Sequence, residues 1–400
     1  MERWIEEYLE SGNRKILFMW GPRRSGKTTV LEKFSKKLEV PVFDFDLVSD
    51  REKFVPDERV LGRLVAEHKV ILIDEVQAWP EGTVALKILF DRFDVKIVAT
   101  GSSELRQKSA KSFDSLAGRF EEIFCLPVAV EEMLDNESPR EYELPMWQRD
   151  LAEKMQVYGG YPEVCDSVLS ESEKIGVLEN LLDTYVIKDV VNIYELKNAK
   201  LARDILTKLA LQLGSEVSMR EIASSLSANV ATVANYIEIF VKNYILISLP
   251  AFKTNLRRAV SENRKLYFFD LGIRNALVRD FRPTSLRPDR GGVWENFVIS
   301  EMEKKRRNLK LKLSAYFYRE YGGREVDLVL EDYQKNYVCW EMKSGEGENV
   351  EGVFPLSHRL EVVTPGSYLE ELKLVDGQGD DDGGGGGAQG KRDGVTGLNI

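Results

Sequence analysis

The chain has 400 residues, 43% of them hydrophobic, which is enough for about two or three domains of ordinary size. Its 56 basic and 66 acidic residues give a net charge of −10, which argues against a protein that coats nucleic acid through bulk charge. The 3 widely spaced cysteines and 2 histidines argue against a disulfide framework and against a zinc site. The acidic N-terminus is unlike a signal peptide, and no apolar run reaches the ~18 residues of a membrane span. We therefore expect a cytoplasmic chain without a membrane partner.

The first third of the sequence alternates short apolar segments with helical patterns, which is typical of a parallel sheet covered on both faces. The predicted strands are 15–20, 40–47, 69–74, 95–100 and 123–127. Helical spacing then dominates from Trp147 to about Lys208. We expect an α/β core at 1–130 and a helical lid at 131–210.

A different pattern starts near Gly214. Ser218 and Glu221 fit a capping box at the start of a short helix. A longer helical pattern and the apolar run 244–249 follow, and this order predicts a winged helix-turn-helix at 211–255. Residues 256–375 are expected to form a further α/β domain. The Gly- and Asp-rich segment 376–400 cannot bury enough apolar surface to offset its ordering entropy, so we expect a disordered tail.

A phosphate-binding loop is predicted directly after the first strand. The segment GPRRSGKT at 21–28 matches GxxxxGK(S/T) and precedes a helical pattern, which is the context the motif requires. Backbone amides would surround the β-phosphate, Lys27 would reach the β- and γ-phosphates, and Thr28 would bind Mg²⁺. The candidate nucleotide-binding residues are Gly21, Pro22, Arg23, Arg24, Ser25, Gly26, Lys27, Thr28, Thr29 and Asp74.

A second motif supports the first. The apolar strand 70–73 runs into Asp74 and Glu75. We expect Asp74 to hold Mg²⁺ through water and Glu75 to act as the general base that polarises the attacking water. An Asp-Glu pair that only caps the next helix is the structural alternative.

Two further segments refine the class. The strand 97–100 ends in TGSS at 100–103, which suits a sensor of the γ-phosphate or of water, and equally a polar turn. Arg119 follows a glycine just before the last strand. Arg119 is a candidate arginine finger that reaches the nucleotide of a neighbouring subunit, with a surface salt bridge as the alternative.

Together, GPRRSGKTT at 21–29, IDEVQ at 73–77, TGSS at 100–103 and LAGR at 116–119 resemble the prokaryotic AAA-type P-loop ATPases of the branch common in archaea. The turn GGYPE at 159–163 also resembles that branch. In those proteins a winged helix and a C-terminal domain related to restriction-endonuclease folds follow the ATPase. The resemblance covers about residues 1–370. It implies ATP and Mg²⁺ as ligands and nucleotide roles for Lys27, Thr28, Asp74, Glu75 and Arg119.

A second group of carboxylates lies on two segments that are predicted to form a hairpin. If the connecting loop has an odd number of residues, Asp327 lies opposite Glu341, and Lys343 follows on the same face. In that register Val326 shares the apolar face of Leu328. A slip of one residue would separate the two carboxylates.

An Asp followed by Glu-x-Lys on the adjoining strand resembles the PD-(D/E)xK nucleases, in which two carboxylates hold Mg²⁺ and the lysine helps to deprotonate water. A further acid often comes from a preceding helix, and Glu295 fits that position. The sequence has Gly-Gly-Arg where the family has Pro-Asp. The resemblance implies that Glu295, Asp327 and Glu341 bind metal, with Lys343 beside them. A strand pair with a cross-strand salt bridge is the alternative.

Contact with DNA depends on the C-terminal half. The predicted recognition helix, 228–240, contains no Lys or Arg, so base reading would rest on Asn229, Thr232 and Asn235. Basic residues that could follow a DNA backbone, or simply form a solvated helix face, fall in two groups. They are Lys253, Arg257, Arg258, Arg264 and Lys265, and then Lys304, Lys305, Arg306 and Arg307.

The sequence thus predicts an α/β P-loop NTPase with a helical lid, then a winged helix-turn-helix, then an α/β restriction-endonuclease-like domain. The leading hypothesis is an ATPase that uses ATP and Mg²⁺ and forms a homo-oligomer through Arg119, with a C-terminal half that acts on DNA. The alternative is a nucleotide-dependent regulatory or scaffold ATPase whose non-catalytic C-terminal domain acts on a protein partner.

Overall fold

The computed structural model describes residues 3–10, 14–102, 116–137, 139–165, 168–194, 196, 198–253, 264–320, 323–345 and 353–375. Among these residues no helix is long and apolar enough to cross a membrane. The predicted tail at 376–400 lies outside the described residues, as do Ser103, Arg257 and Arg258.

The N-terminal domain is built on a parallel sheet of five strands in the order β2-β3-β4-β1-β5. The strands are β1 (Ile16–Gly21), β2 (Val42–Asp44), β3 (Val70–Asp74), β4 (Lys96–Ser102) and β5 (Phe120–Phe124). All five predicted strands are confirmed, but β5 starts three residues earlier than expected. Because β5 is an edge strand, its half-buried Glu121 and Glu122 break the apolar run on which the prediction relied.

Helices cover both faces of this sheet because the central strands are apolar on both sides. Glu58–Glu67 and Thr83–Arg92 pack on the face of Phe18, and Ile5–Glu10 and Lys27–Leu38 pack on the face of Met19. Further short helices in the described part of this domain are Val48–Arg51, Glu52–Phe54, Val76–Ala78 and Pro80–Gly82. The carboxyl ends of all five strands share one edge of the sheet, so the loops that follow β1, β3 and β4 meet there.

A helical region follows the sheet. Its helices are Val130–Glu137, Leu144–Tyr158, Glu171–Leu181, the π-helix Leu182–Asp189, Val190–Ile193 and Ala199–Ala210. Next come the helices Met219–Ser225 and Val230–Lys242, then β6 (Leu246–Pro250) and β7 (Arg264–Phe268), which pair antiparallel. The β6-β7 pair joins segments on either side of the boundary expected at 255/256. The winged-helix assignment itself stays a prediction.

In its described residues, the C-terminal part combines a mixed sheet with three helices and a short 3₁₀ turn. The helices are Leu271–Val278, Thr284–Leu286 (the 3₁₀ turn), Arg290–Asn308 and Tyr368–Leu374. The sheet has the order β11-β10-β9-β8, with β8 (Ser314–Arg319), β9 (Glu325–Glu331), β10 (Tyr337–Met342) and β11 (Arg359–Val363). One face of it packs against Arg290–Asn308 and against Leu144–Tyr158 of the helical region, so the two parts share a core.

The β9-β10 hairpin has the register that the odd-numbered loop predicts. Tyr337 pairs with Glu331 and Trp340 with Leu328, across a loop of residues 332–336. Continued by one residue, this register brings Asp327 to the level of Glu341. The observed strand pairing is therefore the one on which the predicted proximity of Asp327 and Glu341 depends.

A bulge in β9 changes one part of that prediction. On the other side of β9, Tyr316 pairs with Val329 but Tyr318 pairs with Val326, so β9 carries one extra residue here. The extra residue reverses the alternation of side chains. Val326 accordingly packs with Val329 in one cluster while Leu328 lies in the other. The prediction that Val326 shares the face of Leu328 is wrong for this reason.

Candidate functional site

The predicted phosphate-binding loop lies between β1 and the helix Lys27–Leu38. Gly26, the N-cap of that helix, has φ 95°, a left-handed conformation that favours glycine. The ammonium group of Lys27 donates hydrogen bonds to the carbonyls of Gly21 (3.0 Å) and Pro22 (2.8 Å). The hydroxyl of Ser25 donates to the same Pro22 carbonyl at 2.8 Å. The loop therefore encircles the lysine at a helix N-terminus, which is the geometry that receives phosphate.

The pair expected to hold Mg²⁺ is in contact. Thr28 Oγ1 donates to Asp74 Oδ2 at 2.9 Å, and the hydroxyl of Thr100 donates to the other oxygen of Asp74. Asp74 ends β3 and is 8% exposed. A hydroxyl and a carboxylate next to a phosphate loop are oxygen ligands of the kind that Mg²⁺ prefers, so these residues fit the ion.

Glu75 lies in a strained backbone conformation beside this pair. Its φ is 51°, a left-handed conformation that costs free energy in a residue with a side chain. The Glu75 amide donates to Thr100 Oγ1 at 3.3 Å, and the side-chain amide of Gln77 donates to the Glu75 carboxylate. Burial raises the pKa of Glu75 above its ordinary value, while the Gln77 hydrogen bond and Lys27 act in the opposite direction. The sequence alone gave Gln77 no role, although it lies two residues after Glu75 in the segment IDEVQ at 73–77.

A cavity of about 660 Å³ opens in front of these groups, within the size range of small-molecule sites. Its lining includes the predicted residues Arg23, Arg24, Gly26, Lys27, Thr28, Thr29 and Glu75. Asp46, Gln77, Pro162 and Glu163 also line it and were not predicted. Pro162 and Glu163 belong to the turn at 159–163, so the helical region completes the cavity.

The turn at 159–163 is held in place by a buried carboxylate. Asp270 Oδ2 accepts a hydrogen bond from the Gly160 amide at 2.7 Å. Gly159 has φ 76°, and a Cβ there would lie 2.1 Å from Asp270 Oδ1. On the cavity side, Glu163 lies 3.8 Å from the guanidinium of Arg24. The turn thus connects the phosphate loop to the segment that follows β7.

Arg119 lies far from the phosphate loop of its own chain. Its carbonyl accepts from the Ile16 amide at 3.0 Å, which places it at the amino end of β1, about 20 Å from the opposite end of a strand of this length. Its guanidinium forms a two-point ion pair with Asp91, at 2.8 and 3.1 Å. Arg119 therefore lies away from the phosphate loop of its own chain, and the role in a neighbouring chain stays a prediction.

The second carboxylate group forms a cluster that includes one residue the sequence did not indicate. Single oxygens of Glu295, Glu325 and Asp327 lie within 4.8 Å of one another. Asp327 Oδ2 accepts from the Met342 amide at 2.8 Å. Glu341 is buried, and its carboxylate lies 3.5 Å from Lys343 Nζ. We call Glu295, Glu325, Asp327 and Glu341 the carboxylate cluster.

A buried lysine lies inside the carboxylate cluster. Lys265 Nζ lies 2.9 Å from Glu295 Oε1 and also pairs with Glu325. Burial and the nearby Asp327 raise the pKa of Glu295 and of Glu341, each to about 7. Burial raises the pKa of Asp327 as well. As arranged, the residues do not fit a metal ion between Glu295 and Glu325, because the Lys265 ammonium group is already there.

Two of the basic residues expected to follow DNA, Lys304 and Lys305, are internal. Lys304 donates to Glu301 and to the Val128 carbonyl, and Lys305 donates to Glu131 and to the Leu372 carbonyl. Both lysines are at most 2% exposed. The second basic group is therefore neither a DNA track nor a solvated face at these two positions, because its lysines join the helix Arg290–Asn308 to the segments around it.

Three arginines of the two basic groups also form ion pairs. Arg306 and Arg307 both pair with Glu303, and Arg264 pairs with Glu238. These arginines keep part of their surface exposed, but each already faces a carboxylate.

Comparison with protein families assigns three segments. Residues 13–134 match the model of an AAA domain. Residues 149–284 and 290–361 match two domains of unknown function, designated DUF8612 and DUF4143.

The chain is also similar to curated proteins that are described as uncharacterized. One from Haemophilus influenzae is 23% identical over 285 residues, which is 64% of this chain and 68% of that protein. Two from Methanocaldococcus jannaschii are 23% and 25% identical and span 68% and 84% of this chain. The matches cover 64% and 76% of those two proteins.

Two solved structures are similar at low TM-score. The Walker-type ATPase of Pyrococcus abyssi has a TM-score of 0.47 and 18% identity, covering 69% of this chain and 94% of that one. The Holliday junction branch migration motor RuvB of Thermotoga maritima has a TM-score of 0.23 and 14% identity, covering 59% and 82%. The strand order, the motif geometry and the AAA-domain match give the N-terminal segment, residues 13–134, an AAA-type P-loop ATPase fold.

Proposed function

We propose that the N-terminal domain binds ATP with Mg²⁺ and hydrolyses it. The observation that carries this proposal is the meeting of Lys27, Thr28, Asp74 and Glu75 at one edge of the sheet, around a cavity of about 660 Å³. A phosphate loop, a hydroxyl-carboxylate pair and a further carboxylate are the parts that phosphoryl transfer to water requires.

In the mechanism, the loop amides and Lys27 bind the β- and γ-phosphates. Lys27 then exchanges its hydrogen bonds to Gly21 and Pro22 for phosphate oxygens. Thr28 and Asp74 would hold Mg²⁺, which neutralises charge on the phosphates when it is bound.

Glu75 would accept the proton of the attacking water. A general base works best with a pKa near the operating pH, and burial moves the pKa of Glu75 upward in that direction. Thr100 and Gln77 hold its backbone and its carboxylate, respectively, so that the base keeps one orientation. We infer that Thr100 positions Asp74 and Glu75. In this role it acts as the sensor residue that the segment TGSS at 100–103 predicts.

Arg119 would complete the site of a neighbouring chain in a homo-oligomer. Arg119 lies at the end of the sheet opposite its own phosphate loop. This position supports a role at the nucleotide of a neighbouring chain rather than at that of its own chain. Release of Asp91 would free the guanidinium for the γ-phosphate.

For the C-terminal half, we propose binding of a partner under nucleotide control, without cleavage. The buried and paired Lys304 and Lys305 remove part of the basic surface that a DNA backbone needs. Binding to DNA through Asn229 and Asn235, which are exposed on Val230–Lys242 and at its N-cap, is the other proposal. A protein partner is favoured because the only basic residue of that helix is Lys242, in its last turn.

The ATPase proposal is tested by steady-state phosphate release from wild type, Lys27→Ala and Glu75→Gln. We expect Lys27→Ala to lose ATP binding, and Glu75→Gln to bind ATP normally while kcat falls by about 10²–10⁴-fold. Unchanged ATP affinity in Lys27→Ala would contradict the proposal.

The partner proposals are tested separately. Plasmid and single-stranded DNA are incubated with Mn²⁺ or Mg²⁺, with and without ATP, using wild type and Asp327→Ala. Cleavage that the substitution abolishes would establish a nuclease. Without cleavage, DNA binding that weakens steeply with salt supports the DNA proposal, and its absence supports a protein partner.

A further inference from the structure

We propose that Lys265 is the resident cation of the carboxylate cluster and takes the place between Glu295 and Glu325 that a metal ion would otherwise occupy. In this assignment the cluster joins two parts of the fold and carries no metal chemistry. The inference deepens the proposal that the C-terminal half is non-catalytic, and it does not depend on ATP hydrolysis.

The ammonium group of Lys265 is enclosed. The residue is 1% exposed, and its Nζ pairs with both Glu295 and Glu325. On another side it lies 5.6 Å from the ring centre of Phe317, a cation–π distance. Two carboxylates and an aromatic face are a complete environment for a buried ammonium ion, which has three N–H groups to satisfy.

Glu295 is committed to this arrangement. Its Oε1 accepts from Lys265 and, at 2.6 Å, from the hydroxyl of Tyr267. Its Oε2 faces Gly214, where a Cβ would lie only 2.6 Å away. Because Gly214 has φ 74° and packs this closely, the backbone closes that side of the carboxylate.

Glu325 is held in a similar way. Its carboxylate pairs with Lys265 and lies 3.7 Å from Arg319, which in turn donates to Glu216 at 3.0 Å. A divalent ion must approach its oxygen ligands to about 2.1 Å. An ion that used Glu295 and Glu325 would therefore lie next to the Lys265 ammonium group and would have to expel it against unscreened repulsion.

Lys265 comes from outside the sheet that carries the acids. It belongs to β7, which pairs with β6, whereas Glu325 and Asp327 belong to β9. Glu295 lies on the helix Arg290–Asn308. The ion pairs therefore connect three separate elements in the interior. Removal of one partner of a buried pair leaves an uncompensated charge, so the lysine stabilises the folded state.

The test is Mn²⁺ binding to the nucleotide-free full-length chain, measured by calorimetry and by loss of the free-Mn²⁺ electron paramagnetic resonance signal. We expect wild type and Asp327→Asn to bind Mn²⁺ equally, since the cluster takes no ion in either. We expect Lys265→Gln to gain one Mn²⁺ per chain, at least tenfold tighter than wild type, and the double variant Lys265→Gln/Asp327→Asn to lose it.

Several outcomes would overturn the inference. Wild-type Mn²⁺ binding that Asp327→Asn weakens would show that the cluster accepts an ion beside Lys265. A folded Lys265→Gln chain that gains no ion would show that the lysine does not occupy a metal position. If Lys265→Gln does not fold, the comparison of wild type with Asp327→Asn still decides, and Lys265→Arg, which keeps the charge, must bind no additional Mn²⁺. The Mn²⁺ measurements use neither DNA cleavage nor ATP hydrolysis as a readout. A chain that lacks either activity therefore leaves this test of Lys265 unaffected.

Discussion

Asp270 Oδ2 accepts a hydrogen bond of 2.7 Å from the amide of Gly160, 110 residues earlier in the chain. This contact fixes the turn that brings Pro162 and Glu163 to the cavity at the phosphate-binding loop. Asp270 follows β7, the strand that carries Lys265. One short segment therefore contacts both the cavity wall and the carboxylate cluster, through residues only five positions apart.

The first prediction concerns Gly159. A Cβ at this position would lie 2.1 Å from Asp270 Oδ1, and φ is 76°. We expect Gly159→Ala to destabilise the chain by about 1–3 kcal/mol, seen as a lower urea midpoint, because the site is already filled. The affinity for ATP should also fall several-fold, since the turn carries part of the cavity.

Gly176→Ala is the matched control for this substitution. Gly176 lies inside the helix Glu171–Leu181, and a Cβ there would have open space around it, with no atom of the described residues within 4 Å beyond the helix's own backbone and the adjacent residues. Alanine at this position should raise stability by up to ~1 kcal/mol and leave ATP binding unchanged. Equal urea midpoints for the two variants would contradict the role assigned to Asp270.

The second prediction concerns Gln77. Burial raises the pKa of Glu75, and the hydrogen bond from Gln77 opposes that rise. Gln77→Met removes the donor, so the pKa of Glu75 rises further. We expect the acidic limb of the kcat–pH profile for ATP hydrolysis to move to higher pH. A full kcat–pH profile checks this, and a loss by the same factor at every pH would argue against it.

Much of the candidate nucleotide site was predictable because it is local in sequence. The phosphate loop is one continuous segment, and Asp74 and Glu75 end a strand that must lie beside β1 in a parallel sheet. Gln77 was visible in the same motif, but its contact with Glu75 depends on the left-handed backbone of Glu75, which no periodicity indicates.

The rest depended on tertiary packing. Glu163 reaches the cavity only because Asp270 fixes a distant turn, and Lys265 enters the carboxylate cluster from another sheet. In the sequence Lys304 and Lys305 look like solvated cations. In the structure Lys304 pairs with the buried Glu301, one helical turn away, and Lys305 pairs with the buried Glu131, which is distant in sequence. Charge patterns alone do not distinguish an internal ion pair from a surface.

The third prediction concerns Arg119 and its partner Asp91. If the ion pair is only structural, Arg119→Ala and Asp91→Ala should behave alike, each with little change in the melting temperature, because solvent screens an exposed pair. If Arg119 serves a neighbouring chain, only Arg119→Ala lowers kcat, by up to about 10³-fold. Mixing Lys27→Ala chains with Arg119→Ala chains should then restore activity, because one interface regains both residues. No recovery in demonstrably mixed oligomers would exclude the arginine finger.

The fourth prediction concerns the hydroxyl of Thr28, which lies 2.9 Å from Asp74. Thr28→Val keeps the shape of the side chain but removes the oxygen, so we expect the Mg²⁺ concentration for half-maximal ATPase activity to rise at least about tenfold. Thr28→Ser keeps the hydroxyl and should resemble wild type. The same Mg²⁺ dependence in both variants would show that Thr28 is not a ligand.

The last prediction concerns pH and stability at Glu341. Burial and Asp327 raise the pKa of Glu341 to about 7, whereas the ordinary value in an unfolded chain is 4.5. Between these two values the folded chain holds a proton that the unfolded chain has released, so unfolding releases it and stability falls as pH rises. Above about pH 7 both states are ionised and this contribution to the slope ends.

Glu341→Gln removes the titrating group and mimics its protonated form. We expect the melting temperature of wild type to fall more steeply than that of Glu341→Gln between pH 5 and about 7, measured without nucleotide. Glu370→Gln, on the exposed side of the helix Tyr368–Leu374, is the control and should keep the wild-type slope. Parallel curves for wild type and Glu341→Gln would mean that the Glu341 carboxylate is ionised throughout, and the close approach of Asp327 would then have to be balanced by Lys343.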